Sequence, residues 1–229
     1  EKLGKSLLFV PNTQPDQIPE LNSFLEEWGM SVGSGVMFEL STDHLYNNTT
    51  PFWSAAEYVD EDYSSVITNK SIPVSVMQSR PIEILKESES IKVLLESTEN
   101  SGIYPVDAAE GWQPEESDLT GPITLAAVST KQVSGVDDVS NVAVVGSAAA
   151  FASSLLSSTS VNNSAYFINM FNTLAEREDT VLIEAKTLGG ATMSVTTNVS
   201  IPLGVVFTIV LPLLILVTGL VIWIRRRNR

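Results

Sequence analysis

A long uncharged stretch near the carboxyl end constrains this chain more than any other feature. It runs from Ile201 to Ile224 as IPLGVVFTIVLPLLILVTGLVIWI and is followed at once by RRRNR. A helix rises about 1.5 Å per residue, so the stretch covers the roughly 30 Å hydrocarbon core of a bilayer. Inside lipid the backbone must satisfy its own hydrogen bonds, which makes a lone span helical. We therefore predict a transmembrane helix over 199–224 and a basic tail over 225–229. The alternative, a buried core helix, fits poorly because soluble cores seldom use such a long uncharged run ended by four arginines.

Three residues inside this stretch would count against a soluble helix. They are Gly204, Pro212 and Gly219. Spanning helices tolerate proline and glycine more readily, and small residues let two helices approach closely. We predict that Pro212 kinks the helix and that these three residues shape its contact with a partner helix.

The end of the stretch predicts an orientation. Tryptophan is common at the membrane interface, and basic residues next to a span stay on the cytoplasmic side. The residues that carry this signal are Trp223, Arg225, Arg226, Arg227 and Arg229. They predict a cell-membrane protein with a cytoplasmic C-terminus and with residues 1–198 outside the cell.

The charge of the chain is divided unequally along its length. The chain has 13 basic and 27 acidic residues, and four of the basic ones lie in the tail, so nine are left to balance the acids and the preceding part carries −18. An acidic surface is repelled by nucleic acid and by anionic lipid headgroups. We expect no nucleic-acid partner, and solubility outside the membrane is the simplest reason for the charge.

The absence of cysteine and the single histidine exclude several kinds of site. Without cysteine the chain has no disulfide, no thiolate zinc site and no cysteine nucleophile. His44 is the only histidine and lies in a polar, loop-like sequence. We therefore expect neither a catalytic triad that uses a histidine nor a metal site with two histidine ligands. We predict no catalytic, cofactor-binding or metal-binding residues and no enzyme activity.

The chain before the span has the pattern of an α/β domain. An apolar run at 7–10 predicts a buried strand, and apolar residues at helical spacing over 18–28 predict an amphipathic helix. We predict a mixed-sheet domain with flanking helices, in which 1–134 form an α/β region and 135–198 a strand, two helices and a hairpin of the same domain. Because the first strand starts so near residue 1, we expect this region to be truncated at its N-terminus.

Other elements follow from shorter patterns. Strands are predicted over 32–40, 65–68, 73–77, 82–85, 91–95, 123–128 and 142–145. Residues 41–63 read as a loop in which Phe52 and Trp53 either pack onto the domain, the favoured interpretation, or anchor a partner. Helices are predicted over 148–156 and from a cap at Asn162 or Asn163, and a β-hairpin over 180–196.

The last ninety residues combine into a more specific pattern. Its parts are VAVVGSAAAFASS, NSAYFINMFNTLAERED, TVLIEAKT and LPLLILVTGLVIWIRRR. In this order they resemble the GldG-like family, the auxiliary membrane subunits of ABC transporters. The resemblance rests on six positions or stretches: Val145-Gly146-Ser147, Asn169 to Asn172, Leu174 to Asp179, Leu211-Pro212-Leu213, Gly219, and Trp223 to Arg227. Ser147 departs from the family pattern, which often has Asp after the glycine. Upstream pieces fit the family more loosely.

The resemblance implies a function. Members of this family work with a permease in the membrane and, through it, with a cytoplasmic ATPase. It also implies an earlier half of the same domain, preceded by an N-terminal span. The predicted function is therefore that of an accessory subunit without ATPase activity, with a permease, an ATPase and membrane lipid as partners.

Two other function classes remain open. One is a surface binding protein or adhesin with a C-terminal anchor, although the sortase signal Leu-Pro-x-Thr-Gly is absent before the apolar run. The other is a membrane-tethered hydrolase, which the lone histidine makes a poor candidate.

Small motifs are predicted to be structural. Gly146-Ser147 reads as a tight turn, with an anion site at a helix start as the alternative. The acidic runs 60–62 and 137–138 lack the spacing of an EF-hand and read as solvated loops, with calcium binding as the alternative. Thr208 and Thr218 are expected to bond the backbone of their own helix, with a position facing a partner helix as the alternative.

Overall fold

The computed structural model describes residues 5–12, 18–46, 50–132, 139–175 and 205–227. The chain divides into two compact units, Glu1–Ala185 and Lys186–Arg229. The described part of the first unit is a mixed α/β domain, and that of the second is one apolar helix. The predicted fold class is confirmed at this level.

The strands of the first unit follow one another along the chain with a few short helices between them. The strands are β1 (Leu7–Phe9), β2 (Met30–Val32), β3 (Val36–Glu39), β4 (Trp53–Tyr58), β5 (Val74–Met77), β6 (Ile82–Ile84), β7 (Ile91–Glu96), β8 (Ser101–Tyr104), β9 (Thr124–Gln132) and β10 (Val139–Val145). The α-helices are α1 (Pro19–Glu26), α2 (Glu61–Ser64), α3 (Ser153–Leu156) and α4 (Asn163–Leu174). Short 3₁₀ turns cover Thr42–His44, Glu116–Asp118 and Ala148–Phe151.

Six strands form the main sheet, in the order β1-β10-β9-β7-β4-β5. Only β1 and β10 are parallel, and the other neighbours are antiparallel. Two small antiparallel pairs, β2 with β6 and β3 with β8, complete the β-structure of the described residues. The sheet is therefore mixed, as predicted.

The side chains of β10 show how the sheet is covered on both faces. Ala143 and Val145 belong to a core that also contains residues of α2 and α4. Val142 and Val144 belong to a second core, with α1 and the β2–β6 pair. Successive strand residues point to opposite faces, so the apolar run of β10 is buried on both sides. The first unit is thus built in three layers, with the sheet in the middle.

The helix at 19–26 forms as its sequence predicts. Pro19 occupies the first turn, where its missing N–H costs no hydrogen bond, and Gly29 takes φ +75° just beyond the helix end. Leu25 and Trp28 are buried in the second core. The strands predicted at 73–77, 82–85, 91–95, 123–128 and 142–145 are also present, within a few residues of their predicted bounds.

Three strand predictions are wrong or incomplete. β1 is a strand, but among the described strands it pairs with β10 alone, and it is only partly buried, with Leu7 exposed. The strand predicted over 32–40 breaks at Gly33–Gly35, because Gly35 turns the chain with φ +88° and β2 and β3 join different partners. Residues 65–68 follow α2 as a turn and bend, and the strand β8 was not predicted.

The long loop predicted over 41–63 contains a strand of the main sheet. β4 occupies 53–58 and pairs with both β5 and β7, and α2 follows it. Phe52 packs edge-to-face on Tyr104, with ring centroids 5.6 Å apart. The prediction that this aromatic pair packs onto its own domain is confirmed for Phe52.

The helix predicted over 148–156 is two short pieces. Ala152 is extended (ψ 139°) and separates a 3₁₀ turn from α3. The second helix is present as α4 and begins after Asn162, but no side chain caps it. Both asparagines instead hydrogen-bond to other segments. The hairpin predicted over 180–196 lies outside the described residues.

Candidate functional site

The apolar helix is the first candidate site. It runs from Val206 to Arg227, 22 residues that contain an 18-residue window with a mean hydropathy of 2.7, and is long and apolar enough to cross a membrane. None of its described residues is buried, and Ile215 and Leu216 are 64% and 68% exposed. A core helix of a soluble domain buries its apolar side chains, and this helix does not.

The beginning of this helix is wound differently from the rest. A π-helical turn covers Val206–Val210, and the α-helix α5 covers Leu211–Arg227. The Leu211 N–H donates to the Val206 carbonyl, five residues back. Pro212 has no N–H to donate and its ring crowds the preceding turn, so a wider turn is a natural solution there. Pro212 therefore marks an irregularity in the helix.

Gly219 lies one heptad beyond Pro212 and so on the same helix face. Apart from its chain neighbours and the nearby backbone of its own helix, a Cβ placed on it would meet no atom within 4 Å. The helix itself thus gives no steric reason for glycine at this position. Nearby, the Thr218 hydroxyl donates to the Leu214 and Ile215 carbonyls at 2.9 Å, which confirms the predicted backbone bonding at this residue.

The basic end of the helix carries most of the predicted orientation residues. Arg225, Arg226 and Arg227 form its last turn. The Arg227 guanidinium lies 5.4 Å from the centre of the Trp223 ring, within the range of a cation–π contact. Two of the predicted residues, Gly204 and Arg229, lie outside the described residues. No hydrogen bond is described for the Thr208 hydroxyl, so its predicted backbone bonding stays a prediction.

The first unit contains a cleft of about 350 Å³ beside α1, here called the α1 cleft. It is lined by Ile18, Pro19, Asn22, Ser23, Glu26, Val32, Gly33, Ser34, Arg80 and Glu83. Three charged groups therefore share a small volume. Glu26 and Glu83 are exposed, whereas Arg80 is only 2% exposed.

Hydrogen bonds brace the walls of the α1 cleft. The Arg80 guanidinium donates to the Gly33 carbonyl through Nε at 3.1 Å and Nη2 at 2.9 Å. The Asn22 amide pairs with both the N–H and the carbonyl of Val32, at 2.9 and 3.0 Å. The Ser31 hydroxyl donates to Glu83 Oε2 at 2.9 Å. These bonds fix the Gly33–Gly35 turn against α1 and β6.

The segment just before Arg80 has an uncommon backbone conformation. Gln78, two residues earlier, has φ +49°, a region that a residue with a Cβ seldom occupies. The Arg80 N–H donates to the Gly146 carbonyl at 2.9 Å. A Cβ on Gly146 would lie 2.1 Å from the Arg80 carbonyl oxygen, so only glycine permits this close packing.

A second cleft, of about 460 Å³, surrounds the lone histidine. His44 Nε2 lies 3.2 Å from Glu57 Oε1, and its Nδ1 lies 3.4 Å from the Ser41 hydroxyl. The His44 ring thus lies between a serine hydroxyl and a carboxylate. The sequence did not predict this arrangement, because Glu57 is 13 positions from His44 along the chain. Ser41 is only three residues from His44, and its contact is a local one within a 3₁₀ turn. This arrangement does not by itself support hydrolysis.

Gly146 forms a bend where the sequence predicts a tight turn, and Ser147 is extended (φ −120°, ψ 110°) before the 3₁₀ turn at 148–151. The Ser147 hydroxyl accepts from the Ala150 N–H at 3.2 Å and donates to the Met77 carbonyl at 2.6 Å. Ser147 is completely buried. Its own side chain thus occupies the position that an anion would take at this helix start.

The acidic run at 60–62 also has structural roles. Asp60 caps α2 by accepting from the Asp62 and Tyr63 N–H groups. Lys92 pairs with Asp62 at 2.7 Å and with Asp60 at 3.3 Å, and the hydrogen bond that its ammonium group donates to Asp62 raises the pKa of Lys92. Across the described ranges, no group of three His, Asp or Glu side chains is placed to hold a metal ion. The run at 137–138 lies outside those ranges.

Three buried polar groups carry no recognisable signal in the sequence. Arg80 is one of them. Glu39 is fully buried and accepts from the Ser41 N–H and from the Thr98 N–H and hydroxyl. Asn163 is fully buried too, and its amide bonds both backbone groups of Ser75. Only the pairing of distant segments reveals these roles.

Comparison with known proteins gives a fold and no family. No protein-family model matches the chain, and no curated protein matches its sequence. A solved structure, the mmIFT52 N-terminal domain, matches with a TM-score of 0.52 and 15% sequence identity, over 77% of this chain and 67% of that chain. At this identity the likeness shows the α/β fold alone.

Proposed function

We propose that this chain is an accessory membrane subunit of an ABC transporter, of the GldG-like type. The apolar helix anchors it beside a permease, and the α/β domain faces the outside of the cell. A cytoplasmic ATPase, bound to the permease, supplies the energy, and this chain hydrolyses no ATP. The support is the fully exposed apolar helix that ends in arginines, together with the sequence resemblance.

The exposure of the helix supports a membrane environment. Apolar side chains that are left out of a protein core lower their free energy by entering lipid. Trp223 and the arginines beyond it suit the boundary between lipid and water. The acidic domain, in contrast, has no apolar segment of this length among its described residues.

The helix face with Pro212 and Gly219 is the proposed contact with the permease. Since nothing in the helix itself requires glycine at 219, a neighbour that packs against the bare backbone would account for it. Gly204, at the start of the stretch, is proposed to belong to the same contact.

Co-purification tests the partner. The tagged full chain is extracted from its native membranes in mild detergent, and the associated proteins are identified by mass spectrometry. We expect a permease and an ATPase with the unaltered chain. Gly219→Leu, alone or with Gly204→Leu, should remove most of both because the larger side chain keeps the helices apart.

Val221→Leu is the matched control, since residue 221 is exposed on another face of the same helix. It should leave the recovery unchanged. Quantitative recovery of the permease with Gly219→Leu and Gly204→Leu would refute the proposed contact. If no transporter subunit accompanies the unaltered chain, the anchored binding-protein alternative takes its place.

A further inference from the structure

The α1 cleft places opposite charges on the walls of one small volume. Its carboxylates, Glu26 and Glu83, are exposed at the surface, while the guanidinium of Arg80 lies in the deeper wall. A cleft of about 350 Å³ has the size of small-molecule sites in proteins. A ligand that carries both a positive and a negative group would complement these walls.

The Gly33–Ser34 peptide forms the positive end of the cleft. Arg80 donates two hydrogen bonds to the carbonyl of this peptide. In a trans peptide the N–H points opposite to the carbonyl, so the Ser34 N–H is directed away from Arg80. The guanidinium charge polarises the peptide and makes this N–H a stronger donor. Ser34 is exposed and also offers its hydroxyl.

The negative end consists of the two glutamates. Glu83 lines the cleft and is held in place by the Ser31 hydroxyl, which donates to one of its carboxylate oxygens. Glu26 projects from the last turn of α1. Carboxylates at this end suit an ammonium group with several N–H donors.

Hydrogen bonds within the domain also preorganise the walls of the α1 cleft. Asn22 fixes α1 to Val32, and Arg80 fixes the following turn. Rigid walls lose little conformational freedom when a ligand binds, which favours affinity. The uncommon backbone at Gln78 delivers Arg80 to this place, and such conformations concentrate at functional sites.

We infer that the α1 cleft binds a small zwitterion of the α-amino-acid type. Its carboxylate accepts from the Ser34 N–H and hydroxyl, with the Arg80 charge behind them. Its ammonium group donates to Glu26 and Glu83. This site lies entirely in the α/β domain, so the inference holds whether or not the chain binds a permease.

Ligand-observed NMR on the full chain in detergent tests the inference. The probe is a pool of L-amino acids with uncharged side chains, at millimolar concentration. We expect saturation transfer from the protein to at least one of them. Each amino acid that binds is then compared with its hydroxy-acid analogue, which lacks the ammonium group, and with its decarboxylated amine. Both analogues should bind much more weakly, because each satisfies only one end of the cleft.

Two variants locate the site. Glu26→Gln removes one charge at the ammonium end and should weaken binding about five- to tenfold. Ser34→Ala removes one donor at the carboxylate end and should weaken it about threefold. Glu27→Gln is the matched control: it removes the same charge from the adjacent residue, which does not line the cleft, and should leave affinity unchanged.

Several results would overturn the inference. They are absence of binding by every amino acid in the pool, equal binding of the single-charge analogues, and equal weakening by Glu27→Gln and Glu26→Gln. Circular dichroism confirms that each variant keeps its fold, so that a loss of binding is assigned to the cleft.

Discussion

The two units of this chain treat their apolar side chains in opposite ways. In the α/β domain most of the large apolar residues of β9, β10 and α4 are buried in two cores on either side of the sheet. In the apolar helix every described residue is exposed, including Phe207 at 62%. The domain is organised to exclude water, whereas the helix has the composition of a segment that lipid surrounds.

Polar groups show the same contrast. In the domain, buried polar side chains find hydrogen-bond partners that are distant in sequence: the Asn163 amide bonds Ser75, 88 residues away. In the helix Thr218 bonds only the carbonyls of the preceding turn. A single helix in lipid has no distant partner for its polar groups, so local bonding is the arrangement expected of it.

The largest effect is expected when the same substitution is made in both units. Phe167 is 1% exposed, and its ring lies 4.2 Å from that of Phe151. Phe167→Ala should lower the unfolding free energy of the domain by about 3–5 kcal/mol, because it removes buried contacts and leaves a cavity. Phe207→Ala should change it by less than about 0.5 kcal/mol. Urea unfolding, followed by near-UV circular dichroism in detergent, measures both.

Vesicle binding completes this test. Phe207→Ala should reduce partitioning of the chain into lipid vesicles, whereas Phe167→Ala in the folded protein should not. Equal destabilisation of the domain by the two variants would mean that Phe207 packs against it, and the contrast between the units would fail.

A smaller effect is expected for the polar groups. Asn163→Leu leaves the Ser75 N–H, the Ser75 carbonyl and the Ala150 carbonyl without their amide partner. It should lower the unfolding free energy by about 1–3 kcal/mol. Thr218→Val should have an effect below about 0.5 kcal/mol, since the carbonyls it contacts already accept helical hydrogen bonds.

The same unfolding measurements check this pair. Asn163→Asp helps to interpret the first variant, because it keeps the acceptor for the Ser75 N–H but removes both amide donors. A stability for Asn163→Leu equal to that of the unaltered domain would show that water replaces the three bonds.

The sequence predicted best those features that depend on neighbouring residues. The apolar helix follows from length and hydropathy alone, and α1 follows from its spacing, Pro19 and Gly29. The apolar run of β10 is unmistakable because it is buried on both faces. Each of these signals is contained within one short segment of the chain.

Features that depend on distant pairing were missed. β4 reads WSAAEY, with no β-branched residue, and is a strand because β5 and β7 pair with it. The predicted helix over 148–156 breaks at Ala152 despite its alanines, since Ser147 and the packing of the following helix set the chain direction. In both cases tertiary contacts override local propensity.

The α1 cleft was missed for the same reason. Its walls come from α1, the β2–β3 turn and the segment before β6, and the buried position of Arg80 follows from its bonds to Gly33 and Gly146. A single arginine before a proline gives no hint of burial. Glycine was the one available signal, since Gly33 and Gly146 each pack closely against this segment.

The smallest expected effect concerns charge in the domain and depends on pH. Burial raises the pKa of Glu96, the hydrogen bond from Thr124 lowers it less, and the charge of Glu57, opposite in the neighbouring strand, raises it further. The folded state therefore holds its proton more tightly than the unfolded chain. Stability from this group is complete below the ordinary pKa of 4.5 and is lost as pH rises through the folded value.

Glu96→Gln removes this pH dependence. The variant should match the unaltered domain in unfolding free energy below about pH 4 and exceed it at pH 7, because the buried charge is no longer formed. The same substitution at the exposed Glu89 provides the control and should not reproduce the difference. A Glu96→Gln domain that is less stable at pH 7 would show that the carboxylate is favoured where it lies, and that the acidic domain stabilises its charges internally rather than through water.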